Sequence, residues 1–189
     1  MGLLNYTKMP FSFRGGWDTV VTVHPSVFKT FLLLVLPFSL IAPVTLLYVE
    51  SRHSPTLLMH AEHFRWLAVA LTFLIAEMLT VPLMGWLIRK LAAGHGRTVD
   101  FRDSYLLAAI VAVPMCLSSL ALVLDDIWLM TSLVVLGLLV AASLLYHGSY
   151  VLLSLDDPFE AQSLSYQAFS VGGMVWVLLC SALVLPLLS

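Results

Sequence analysis

Charge is what this sequence has least of. Only 11% of its 189 residues are Asp, Glu, Lys or Arg, and the 9 basic and 11 acidic side chains nearly cancel. With no block of basic residues, the chain lacks the footprint of a nucleic-acid binder and of a polybasic lipid switch. Cysteine is scarcer still. Cys116 and Cys180 both lie in apolar runs, where a free thiol serves as a small hydrophobe, and no structural disulfide is expected. The segment from Met1 to Lys29 lacks the basic start, apolar run and small-residue cleavage site of a secretory signal. Serine catalysis finds no Gly-x-Ser-x-Gly elbow. Gly94-His95-Gly96-Arg97-Thr98 has neither the Gly-Lys-Ser/Thr ending nor the preceding strand of a nucleotide loop, and reads as a plain turn. No enzymatic activity and no cofactor is expected.

What the chain has in abundance is apolar surface. Hydrophobic residues make up 60% of it, and the mean hydropathy is +0.98, far above a soluble domain. The expected fold is all-α: a polytopic membrane protein of five transmembrane helices in a compact bundle with proline kinks. Residues 1–29 form a short cytoplasmic leader and 30–189 the membrane domain. Spans are placed at about 30–49, 66–88, 104–124, 127–150 and 171–188, each near the ~20 residues needed to cross hydrocarbon. Gly15-Gly16 breaks the leader, and the piece from Trp17 to Lys29 is a candidate interfacial helix with Trp17, Val20, Val21 and Phe28 as apolar contacts.

Orientation follows from the basic residues near span ends. Arg89, Lys90, Arg97 and Arg102 crowd one connection and Lys8, Arg14 and Lys29 the leader, so both belong inside, with the N-terminus cytoplasmic and Ser189 outside. Asp125 and Asp126 alone separate spans three and four, which predicts a tight antiparallel hairpin. Asp157-Pro158-Phe159-Glu160 has the cap, first-turn proline and acidic third position of a helix start. That helix is expected to run into span five, with a bend at Gly172-Gly173. Pro37, Pro43, Pro82, Pro114 and Pro186 each free a carbonyl one turn upstream.

Against this background one carboxylate stands out. Glu77 sits at the midpoint of the stretch from Trp66 to Ile88, which carries no other charge. A charge at mid-bilayer costs roughly 2.5–3.5 kcal/mol on insertion scales, so such residues face a bundle interior or cavity and mark functional pathways. On its own helix only the Thr80 hydroxyl is at hand. Partners must come from elsewhere: His147 in span four, a hydroxyl such as Thr45 or Ser118, or a carbonyl freed by a kink. Two readings stand side by side, a neutral carboxyl with a structural hydrogen bond and a group that handles protons or cations. A second constellation, His53, His60, Glu62 and His63 before span two, has His60 and His63 on one helical face as candidate metal ligands. Gly137, Ala141, Ala142 and Ser143 give span four a small-residue surface, for packing within the chain or for a homo-oligomer.

Several short motifs, covering about residues 15 to 188, resemble one family. They are Trp17 followed by His24-Pro25 and Phe28, Leu36-Pro37-Phe38-Ser39-Leu40-Ile41-Ala42-Pro43 in span one, Gly94 to Tyr105 leading to Pro114, and Tyr146-His147-Gly148. The chain is similar to the Ypt-interacting-protein (YIP) domain family, in its bacterial five-span inner-membrane branch. The resemblance implies a non-enzymatic protein of the inner membrane that self-associates and organises membrane-protein partners or lipids. The alternative is a small transporter or channel for protons, cations or metal with Glu77 in its pathway. Eukaryotic relatives act in vesicle trafficking and associate with small GTPases. Their long cytoplasmic leader is largely absent here, which bears against GTPase binding.

Overall fold

The computed structural model describes Trp17 and residues 24–51, 63–153, 155 and 157–188. Among these every regular element is helical, and five helices are long and apolar enough to cross a membrane. The all-α, five-span expectation is borne out. The spans run over Val27–Ser51, Arg65–Gly94, Phe101–Val123, Ile127–Leu152 and Pro158–Ser181.

Span one is broken into pieces. Helix α1 (Val27–Thr30) passes through a π-helical turn (Phe31–Val35) into α2 (Leu36–Ser39), and a turn at Leu40 precedes α3 (Ile41–Ser51). Pro37 and Pro43 explain the interruptions, since each removes an N–H donor and crowds the preceding turn. Spans two to five are α4 (His63–Gly94), α5 (Phe101–Ser118) closed by a 3-10 segment (Ser119–Val123), α6 (Ile127–Leu152) and α7 (Pro158–Leu188). Pro82 and Pro114 lie inside α4 and α5 without ending them. α7 likewise continues through Gly172-Gly173. There Gly172 serves packing: a β-carbon on it would lie 3.0 Å from Met84 Cε.

Local chemistry sets the helix ends. Asp126 caps α6 by accepting from Trp128 N at 2.8 Å, and Asp157 accepts from Phe159 N at 2.9 Å at the start of α7. The glycine-rich turn after α4 is a helix stop. Gly96 takes φ +75°, and Arg97 N donates back to Ala92 O at 3.0 Å, closing a Schellman motif that favours a residue without a β-carbon.

Packing is closest around span three. A β-carbon on Gly85 would lie 2.9 Å from Tyr105 Cα, and one on Gly137 3.0 Å from both Pro114 O and Ser118 Cβ. Ala141, one turn beyond Gly137, is also buried. Gly137 of the small-residue surface on span four is therefore a point of close approach to span three of the same chain. Side chains such as Leu79, Leu83, Leu136 and Leu139 face outward, as contact with lipid requires. Trp128 near one end of the bundle and Trp86 near the other are exposed, the latter with Lys90 Nζ 5.7 Å above its ring, as in an interfacial belt.

Candidate functional site

Glu77 projects from α4 toward spans one, three and five. Its Oε1 accepts from the Cys116 thiol of α5 at 3.7 Å, and the Ser39 hydroxyl of α2 lies beside the carboxyl. Oε2 is buried and has no hydrogen-bond partner. An unpaired buried acceptor costs about 1–3 kcal/mol, and more when charged. The carboxyl lines a partly open cavity of about 150 Å³ between the spans, with Ser39 of span one also on its wall. Ala108, Ala112, Ala141, Ala168 and Gly173 keep the walls thin, while Phe73, Phe169 and Trp176 supply aromatic surface. Val175 lines the cavity and is 41% exposed.

A second constellation closes the leader end of the bundle. Trp17 is fully buried, with its ring against Gly148 of α6 and beside Leu107 of α5; a β-carbon on Gly148 would meet the Trp17 ring at 2.7 Å and also strike Leu107. His24 takes φ +36°, a left-handed conformation rare outside glycine, and the Asp103 carboxylate accepts from its Nδ1 at 2.8 Å. Strain of this kind persists where surrounding contacts over-determine it. Here the bond to Asp103 holds the His24 side chain.

Trp17, His24-Pro25, the segment around Tyr105 and Gly148 are far apart in sequence, yet they converge at one end of the fold. A family model, the Yip1 domain, matches residues 9–184. The chain belongs to the Yip1 domain family. No curated relative and no solved structure matches it.

In this Yip1-domain chain the structure rearranges several expected sites. Trp17 is packed between spans three and four, which corrects its expected place at the lipid interface; Phe28, 71% exposed, does face outward. Val20 and Val21 lie outside the described residues. His147 does not line the Glu77 cavity: its Nδ1 lies 2.8 Å from Ser143 O, one turn back on α6. The hydroxyls expected to reach Glu77 are bonded elsewhere. Thr80 donates to the backbone carbonyl of Glu77 at 3.1 Å, Thr45 to Ile41 O at 2.8 Å and Ser118 to Met115 O at 2.7 Å. Each makes the short back-bond typical of a hydroxyl in an apolar helix. His53, His60 and Glu62 lie outside the described residues, and His63 enters only as the first backbone position of α4. Among the described residues no cluster of three or more His, Cys, Asp or Glu could hold a metal.

Cys116 and Ser39 were missed as neighbours of Glu77, though a signal existed for the first. Cys116 follows Asp103 in the chain by the same interval at which Glu77 precedes Lys90. Antiparallel helices share one rise per residue, so equal intervals from their common connection place both side chains at one depth. Both cysteines are free thiols.

Proposed function

We propose that this Yip1-family protein is a non-enzymatic component of a bacterial inner membrane that gathers lipids or protein partners, with its N-terminus in the cytoplasm. The observation that carries this reading is the seating of Trp17 and His24 against the spans. Both sit at the same end of the bundle as the connection holding Arg97, Asp100 and Arg102, so one polar face is tied firmly to the spans. Basic residues crowd that end, the arrangement that faces the cytoplasm. A photo-crosslinking residue at Arg102, whose side chain is 61% exposed, is expected to form discrete lipid or protein adducts in native membranes. Adducts should fall severalfold in the His24→Ala variant. A uniform absence of adducts in the unaltered chain would count decisively against the reading.

A second reading is favoured by the Glu77 Oε2 atom, buried and unpaired beside an open cavity. An intramembrane carboxyl so placed is suited to taking up a proton or cation. Proteoliposomes holding the protein should then show proton or cation flux that Glu77→Gln lowers at least tenfold. Flux that is nil, or indifferent to the substitution, removes transport from consideration.

A further inference from the structure

We propose that the Glu77 cavity is a binding site for a small apolar monocation, a primary ammonium carried on an aryl or alkyl body about the size of a benzene ring. The inference deepens the cation reading of Glu77 by naming a ligand class, and it requires binding alone, not transport.

Three observations converge on that class. The first is size. The cavity measures about 150 Å³, the volume of apolar protein cavities known to accept benzene. A bare metal ion would leave most of that space empty, and among the described residues no cluster of three or more His, Cys, Asp or Glu stands ready to coordinate one. The second is wall chemistry. Apart from Glu77, Ser39, Thr80 and Cys116 the lining is apolar, and the Thr80 hydroxyl is spent on a backbone carbonyl. Such walls favour a hydrocarbon body, and the rings of Phe73, Phe169 and Trp176 add attraction for a cation. The third is the unpaired acceptor. Oε1 has the Cys116 thiol and the Ser39 hydroxyl stands beside the carboxyl, yet Oε2 is buried without a hydrogen bond. A primary ammonium brings three N–H donors and one positive charge on an apolar body: one N–H pairs Oε2, and the Ser39 and Thr80 hydroxyl oxygens on the wall are acceptors for the others. It pairs the carboxylate, as buried charge demands, and fills the void.

The route of entry fits the same guest. Val175 lines the cavity and is 41% exposed within span five, so a ligand that partitions into the bilayer would reach the site there without crossing the polar ends of the bundle. Gly173 adds open space on the wall, since a β-carbon built there meets nothing within 4 Å.

The test uses the full chain in phosphatidylcholine nanodiscs, with empty nanodiscs as background, and fluorine NMR of three probes. These are 4-fluorobenzylammonium, neutral 4-fluorotoluene and anionic 4-fluorobenzoate. The expected result is saturable binding of the ammonium at least tenfold tighter than either of the others. Glu77→Gln should weaken the ammonium at least tenfold and leave fluorotoluene unchanged, and Gly173→Leu should weaken both. The comparison among probes on the unaltered protein decides the matter even where a variant fails to fold. Ammonium binding no stronger than to empty nanodiscs, no tighter than fluorotoluene, or undiminished in folded Glu77→Gln would overturn the proposal. Binding without flux would leave this site standing and remove transport. Flux without ammonium binding would do the reverse.

Discussion

Replacing Trp17 with alanine is expected to be the most destabilising single truncation in the described part of the chain. The ring is fully buried between spans three and four, and removing a buried Trp costs about 3–5 kcal/mol through lost contacts and the space left behind. Gly148 cannot close that space, because it has no side chain and its helix is held by span three. The Asp103 bond to His24 alone would then have to hold a backbone with φ +36°. Thermal unfolding in detergent should show a midpoint lowered by several degrees, with limited proteolysis cutting the leader much faster than in the unaltered protein. A Trp17→Phe change should recover part of the loss. If Trp17→Ala unfolds and is cleaved like the parent, the leader is not anchored as described.

The second large effect is expected at Gly85. A β-carbon there would sit 2.9 Å from the Tyr105 backbone, so nothing flexible can give way. Gly85→Leu must push α4 from α5 along the contact that also sets Glu77 against Cys116. Overpacking of this kind costs about 1–3 kcal/mol, occasionally more. At Gly173 the same substitution meets open space and should leave stability nearly unchanged. Equal unfolding midpoints for Gly85→Leu and the parent would show that spans two and three do not approach as closely as the structure has them.

Much of this architecture could be read in advance, for reasons specific to membranes. A helix must satisfy its own backbone in hydrocarbon, so apolar runs bounded by charges, such as 30–49 and 104–124, mark their own ends. Asp126 and Asp157 likewise announce the helices they cap. What could not be read is rotation. Spans such as α5 and α7 are apolar nearly all round, so no stripe tells which face turns inward. Glu77 was visible as an anomaly, yet its partner was not His147, the conspicuous titratable group, but Cys116, which resembles its apolar neighbours. The hydroxyls of Thr45, Thr80 and Ser118 were discounted as partners only once their bonds to their own helices were seen. Trp17 misled in another way: tryptophan is common at lipid interfaces, and only the bareness of Gly148, a distant residue, makes room for it inside.

The seat of Trp17 also carries a consequence for biosynthesis. Its floor is built by Leu107 and its wall by Gly148, both made long after the leader has left the ribosome. At roughly 5–20 residues per second the leader waits on the order of ten seconds before its place exists. During that interval the tryptophan is available to chaperones, proteases and the membrane surface. The seat of Trp17 can therefore be filled only once spans three and four are both in place.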